Sequence, residues 1–152
     1  MLRKFAALIG FIGLALVVVP AFAQNCEVTI DSTDQMRYDT DLVEISKSCT
    51  EFTVHLTHSG QLPKQAMGHN WVLTTANDMQ GVVADAVAAG LDNDYLPPND
   101  KRVIAHTRLI GGGEKDSVTF PVSALQANEQ YVFFCSFPGH SAVMNGKVVL
   151  VD

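Results

Sequence analysis

Three side chains with soft donor atoms stand close together near the C-terminus of this 152-residue chain. Cys135, His140 and Met144 form a Cys-x4-His-x3-Met motif between two apolar segments at 133–134 and 148–149. A thiolate, an imidazole and a thioether on one loop can converge on a single metal ion, and such soft donors favour copper, especially Cu(I). The motif therefore predicts one bound copper ion that cycles between Cu(I) and Cu(II).

A second imidazole is needed to complete such a site, and His69 in the segment Met-Gly-His-Asn-Trp can supply it. His69 begins a predicted strand, and strand ends that are distant in sequence become neighbours in a β-sandwich. Two histidines and a cysteine in a plane, with a weak axial methionine, are typical of blue-copper electron-transfer sites. We expect Cys135 to carry the electronic coupling, His69 and His140 to complete the plane, and Met144 to tune the potential.

Other functions are compatible with some of these residues. A structural zinc site is disfavoured because zinc is usually held by four cysteines and histidines. A Cys135–His140 thiol hydrolase lacks an orienting third group and an evident oxyanion hole. A copper storage or delivery protein remains the alternative, but a cysteine set among Phe133, Phe134 and Phe137 favours retention of the metal.

The N-terminus has the pattern of an export signal. Arg3 and Lys4 precede an apolar run at 5–19, and Ala21 and Ala23 form a small-x-small cleavage pattern. The run is shorter than the roughly 20 residues of a membrane-spanning helix. We predict a signal peptide at residues 1–23, a mature chain at 24–152, and an oxidising destination.

An odd number of cysteines in an exported protein indicates one disulfide and one thiol with another role. Cys26 and Cys49 lie among strand-like segments of the N-terminal third, far from Cys135. We predict a Cys26–Cys49 disulfide that stabilises the fold by roughly 3 kcal/mol. Three free buried thiols are the weaker alternative.

Composition predicts a single compact domain. Apolar residues make up 47% of the chain and charged residues 17%, which supplies a core and excludes general disorder. The net charge of −6 argues against a protein that binds the phosphate backbone of nucleic acids.

The hydrophobic pattern mostly has a period of two residues, which indicates β-strands with one buried face. Eight strands are expected, and we predict an all-β antiparallel sandwich or barrel. The strands are predicted around Val28 and Ile30, around Phe52, Val54 and Leu56, and at 42–46, 69–75, 102–109, 116–122, 130–135 and 147–151. One short helix is predicted at 78–90, and Pro121 indicates an edge position or a bulge.

The mature chain resembles the cupredoxin family of blue-copper proteins over essentially its whole length. The resemblance rests on Cys26 and Cys49, the Cys-x4-His-x3-Met spacing, and the segments 67–73, 78–83, 102–107, 113–120 and 133–142. It implies an eight-stranded Greek-key sandwich with one inserted helix. It also implies a periplasmic electron carrier that is not an enzyme, with a plastocyanin-like domain at 24–152.

The resemblance also implies roles for residues around the metal. The carbonyl of Gly68 is expected as a weak axial ligand opposite Met144, and the Phe137 backbone N–H is expected to point at the Cys135 sulfur. Asn70 would join the ligand loops, and His58 would pack beside the copper site. Trp71 is expected in the sandwich core.

Finally, the resemblance implies an apolar docking patch for redox partners around His140. We define this patch by Met36, Leu62, Ala66, Met67, Phe137, Pro138 and Ala142. Its expected partners are small periplasmic redox proteins such as c-type cytochromes, or a terminal reductase. A monomer is predicted, with no nucleic acid partner and no membrane association after signal cleavage.

Overall fold

The computed structural model describes residues 25–152. The predicted signal peptide at 1–23 lies outside the described residues. Within the described part, nine strands form two sheets, and one helix of more than two turns is inserted between strands. The fold is therefore the predicted all-β sandwich with one inserted helix.

Each of the eight predicted strand positions contains a strand, and one further strand is present. The nine strands are β1 (Glu27–Thr33), β2 (Arg37–Tyr38), β3 (Leu42–Ser46), β4 (Glu51–His58), β5 (Val72–Thr75), β6 (Ala105–His106), β7 (Lys115–Pro121), β8 (Tyr131–Phe134) and β9 (Asn145–Val151). The ninth, β2, was not predicted, because two residues are too few to show an alternating pattern. It pairs antiparallel with β1.

The first sheet has the strand order β2-β1-β4-β7 and the second has β3-β9-β8-β5-β6. Two of the pairings, β1 with β4 and β3 with β9, are parallel, so the expectation of a purely antiparallel sandwich is corrected. Alternation reveals which face of a strand is buried but not which way the strand runs. Pro121 ends β7, which is an edge strand, as predicted.

The core lies between the two sheets, and β4 shows how alternation builds it. Phe52, Val54, Leu56 and His58 all point inward, while the residues between them are more exposed. Trp71 is fully buried, as predicted, and stacks between Phe120 and Phe133 at ring distances of 6.2 and 5.9 Å. Since His58 continues the inward face of β4, it marks the end of the core where the candidate site lies.

Two helices and three 3₁₀ turns join the strands. Helix α1 (Lys64–Met67) has four residues, and α2 (Met79–Ala89) ends at Gly90, close to the predicted bounds of 78–90. The 3₁₀ turns are Leu91–Asn93, Val122–Ala124 and His140–Ala142. Val82 of α2 packs with Val72, Leu96 and Phe134 in a second cluster of buried residues, and we call this group the helix cluster.

The predicted disulfide joins Cys26 to Cys49, and Cys135 is a buried free cysteine. Cys49 lies two residues before the start of β4, whereas His58 ends the strand. A strand of that length spans about 23 Å at about 3.3 Å per residue. The disulfide and His58 therefore lie at opposite ends of the sandwich.

Candidate metal centre

Three predicted ligands meet in a buried triangle. The Cys135 Sγ lies 3.9 Å from His69 Nδ1 and 3.6 Å from His140 Nδ1, and the two nitrogens are 3.2 Å apart. All three residues are at most 3% exposed. Within residues 25–152 they form the one group of three or more histidine, cysteine, aspartate or glutamate side chains that could hold a metal ion.

The dimensions of the triangle fit a metal ion. Its centroid lies about 2.3 Å from the sulfur and about 1.9 to 2.1 Å from the two nitrogens, near the lengths of about 2.3 and 2.0–2.1 Å of zinc–thiolate and zinc–imidazole bonds. A thiolate and two imidazoles suit copper as well. The three donor atoms therefore match a trigonal metal site without rearrangement.

A hydrogen bond aims the His69 ring at the triangle. Its Nε2 donates to the Thr33 carbonyl over 2.9 Å, which leaves Nδ1 unprotonated and directed toward Cys135. The His58 ring stacks on His69 with a centroid distance of 4.6 Å. His58 Nδ1 accepts a hydrogen bond from the Gly60 N–H, and its Nε2 donates to the Met67 carbonyl, so His58 packs beside the triangle without entering it.

The loop between β8 and β9 positions His140 and Met144. Gly139 has a φ of 84°, a conformation that favours glycine, and the chain then enters the 3₁₀ turn His140–Ala142. The Met144 N–H donates to the His140 carbonyl, and the Cys135 N–H donates to the Met144 carbonyl. These bonds close the loop on itself, so the ends of the Cys-x4-His-x3-Met motif are held together.

Gly68 brings a backbone carbonyl beside the triangle. Its oxygen lies 3.8 Å from Cys135 Sγ. A Cβ at this position would come within 2.5 Å of the Lys64 carbonyl and 2.8 Å of a Leu109 methyl group, so only glycine fits. Met144 is fully buried on the same loop as His140.

Asn70 connects the two ligand-bearing segments. Its Oδ1 accepts from the Ser136 N–H, while its Nδ2 donates to Ser136 Oγ and to the Asp94 carbonyl. The backbone N–H groups of Asn70 and Phe137 also donate to the Cys135 sulfur. The residues after His69 and after Cys135 are thus joined directly.

Burial sets the protonation of the triangle. It raises the pKa of the Cys135 thiol to about 12, although the two donated N–H bonds oppose the shift. It lowers the pKa of His69 to about 4, against the opposing effect of the bond to Thr33, and it lowers the pKa of His140. At neutral pH the protein alone therefore holds a thiol and two neutral imidazoles.

The predicted docking patch is open to solvent at most of its positions. Met36 and Leu62 are 38% and 41% exposed, Ala66, Pro138 and Ala142 are exposed, and Met67 and Phe137 are half-buried. The Phe137 ring packs on the His140 imidazole at 4.4 Å. The outer histidine therefore lies directly beneath an apolar surface.

Two contacts to His69 and to the residue after it were not predicted from the sequence. The Thr33 carbonyl orients His69, and the Tyr38 hydroxyl donates to the Asn70 carbonyl. A backbone carbonyl leaves no signal in a sequence. Tyr38 lies in a strand of two residues, which is too short to show a hydrophobic periodicity.

The sandwich and its buried triangle of soft donors define a copper-binding protein. Residues 24–151 match the model of copper binding proteins of the plastocyanin/azurin family, and the chain belongs to this family. It is 59% identical to an azurin of Pseudomonas aeruginosa over 150 residues, with 99% of both chains covered. These findings establish copper as the cofactor and a blue-copper protein as the class.

Further relatives extend the comparison. An azurin of Pseudomonas chlororaphis is 63% identical over 126 residues, which cover 83% of this chain and 98% of that protein. An azurin of Bordetella pertussis is 56% identical over 143 residues, covering 92% and 95%. No helix in the described part of the chain is long and apolar enough to cross a membrane.

Proposed function

We propose that this protein is a periplasmic electron carrier that passes single electrons between redox partners and catalyses no reaction of its own. Bound copper would supply the Cu(I)/Cu(II) couple. The proposal rests chiefly on the buried triangle of His69, Cys135 and His140, whose dimensions match a trigonal site in the metal-free chain. Donors that are already in place need little movement when an electron arrives.

The residues around the triangle support this role. Hydrogen bonds with Asn70, Phe137 and Met144 fix the Cys135 and His140 loop, and the bond that His69 donates to Thr33 fixes His69. Leu109 is buried against Gly68 and excludes water from this side of the triangle. A rigid and dry site suits fast electron transfer and opposes metal release.

Two weak axial ligands complete the proposed coordination. We propose that the Gly68 carbonyl and the Met144 sulfur would also hold the bound copper, as weaker ligands. The 3.8 Å approach of the Gly68 oxygen to Cys135 Sγ supports the first assignment. The burial of Met144 and its backbone bond to His140 support the second.

We propose that partners dock on the apolar patch defined above. Phe137 packs on the His140 ring beside the exposed Pro138, which makes this histidine the shortest exit for an electron. A small, partly apolar contact allows the rapid dissociation that a carrier needs. Suitable partners are c-type cytochromes or a terminal reductase, which the protein would meet as a monomer.

The deciding experiment is the visible absorption spectrum of the mature protein with Cu(II), before and after ascorbate, beside Cys135→Ser. We expect an intense blue colour that bleaches on reduction, returns on oxidation and is absent from the variant. A colourless protein that gives its copper to a chelator would instead establish storage or delivery. N-terminal sequencing of exported protein should find Gln24 first.

A further inference from the structure

The short strand β2 contacts the residues that follow His69, and we call Asn70 and Trp71 the ligand segment. The Tyr38 hydroxyl donates a hydrogen bond to the Asn70 carbonyl, which belongs to the peptide between Asn70 and Trp71. His69 directly precedes this pair. The contact therefore lies one residue from the inner histidine.

The hairpin β1–β2 reaches His69 and the ligand segment at two separate points. The Thr33 carbonyl, at the end of β1, accepts a hydrogen bond from His69 Nε2, and Tyr38 on β2 holds the next residue. Thr33 pairs with Arg37 and Ser32 pairs with Tyr38, so both contacts come from adjacent rungs of one ladder. A two-point attachment fixes the direction of a segment as well as its position.

The Tyr38 side chain is well placed for this task. Its ring packs on Phe133 at 5.6 Å and joins the main core, although the residue as a whole is only partly buried. Burial of the hydroxyl raises its pKa well above the usual range, so it remains a donor at any physiological pH. Removing it would leave the Asn70 carbonyl without this partner.

We propose that Tyr38 is a positioning residue of the metal centre, whose hydroxyl holds the segment after His69 and restrains its movement between the two oxidation states. The effect on electron transfer rests on the proposed function, whereas the restraint itself is a property of the metal-free chain. The two can therefore be tested separately.

The test compares Tyr38→Phe with Tyr131→Phe. Both variants keep an aromatic ring and lose one hydroxyl, but the Tyr131 hydroxyl accepts from the Gln126 N–H, in a different part of the chain from the residues after His69. Hydrogen exchange of the metal-free proteins is measured at the amides of His69, Trp71 and Ser136. In Tyr38→Phe we expect exchange about tenfold faster, as the loss of one buried hydrogen bond predicts.

The copper-loaded proteins give the second readout. Electron self-exchange between oxidised and reduced copies should slow about threefold or more in Tyr38→Phe, because a looser segment moves further with each transfer. It should be unchanged in Tyr131→Phe. Equal rates of hydrogen exchange at the three amides in both variants would refute the restraint. An unchanged rate of electron self-exchange in Tyr38→Phe would refute its role in electron transfer.

A measurement on the unmodified protein covers the case in which Tyr38→Phe does not fold. The hydroxyl proton of Tyr38 should be visible by NMR as a slowly exchanging signal with a coupling to the Asn70 carbonyl carbon. Rapid exchange of that proton with water would overturn the proposal.

Discussion

Each member of the triangle is uncharged before the metal arrives. Burial keeps the Cys135 thiol protonated, with a pKa of about 12, and keeps His69 neutral, with a pKa of about 4. The same effect lowers the pKa of His140. A buried thiolate without a counter-charge would be costly, so the proton on Cys135 leaves only when a cation replaces it.

We therefore expect one proton to be released for each Cu(II) bound at pH 7. Since that proton comes from Cys135, the apparent affinity should rise about tenfold per pH unit between pH 6.5 and 8.5. Titration with Cu(II) in weakly buffered solution, with a pH electrode or a competing chelator, measures both quantities. Release of no proton would mean an ionised thiol, and release of two would mean a charged histidine.

The residue types alone predicted the triangle, and they did so because metal ligation demands particular atoms. Cys135, His140 and His69 were identified from their donors and their spacing. The contributions of Thr33 and of the Gly68 carbonyl come from the backbone, which every residue possesses. Such contacts follow from how strands meet, so only the three-dimensional structure or a family resemblance can reveal them.

At the scale of secondary structure elements, helix α2 buries only one face. Val82 and Ala86 are buried, whereas Val87 is 65% exposed. Arg102 forms ion pairs with Asp85 of the helix and with Asp100 of the following loop. The apolar attachment of the helix to the rest of the protein is the helix cluster, which also contains Phe134, the neighbour of Cys135.

Val82→Ala should lower the free energy of unfolding by about 2 kcal/mol, through lost apolar burial and the cavity left behind. Val87→Ala on the same helix should change it by less than about 0.5 kcal/mol, because that side chain already faces water. Urea denaturation of the two variants makes the comparison. Equal effects would show that α2 does not depend on the helix cluster.

The disulfide and the metal centre should be energetically separate, because β4 holds them at opposite ends of the sandwich. Replacing both Cys26 and Cys49 by Ala should cost roughly 3 kcal/mol of stability by releasing the unfolded chain from its loop. The visible spectrum of the copper protein should stay the same. A changed spectrum would show that the two ends communicate through the core.

The alternating pattern predicted eight strands and their buried faces, but it could not predict a two-residue strand or the direction in which paired strands run. Arg37 and Tyr38 form a strand too short for alternation. The parallel pairing of β3 with β9 depends on contacts between Leu42 and Lys147, which are distant in sequence. Strand direction is decided by how the whole chain closes, and no local segment contains it.

At the scale of the whole molecule, the net charge and the apolar patch would act on a partner in different ways. The chain carries a net charge of −6. The docking patch consists of apolar residues. Charge would then favour the approach of a basic partner, an effect that salt screens, while the patch makes the contact itself.

A carboxylate in the patch should therefore interfere with docking. Ala142→Asp is expected to slow reduction by a c-type cytochrome about tenfold or more, because the charge must lose water in an apolar interface. Ala127→Asp, at another exposed position that lies near Cys49, should stay within about twofold. Stopped-flow kinetics at fixed ionic strength compares them, and equal rates for both variants would exclude the patch as the docking surface.

The pairing of β9 with β3 sets the order in which the protein can be completed. The two cysteines of the disulfide are both among the first 49 residues, so that bond can close as soon as the N-terminal part of the chain reaches an oxidising compartment. Cys135, His140 and Met144 precede the final strand, which is the last part of the chain to emerge and must pair with a strand about a hundred residues earlier. Non-local pairings of this kind form slowly. An incomplete chain therefore has no closed pocket for a reactive metal ion, and copper loading must wait until the last strand is in place.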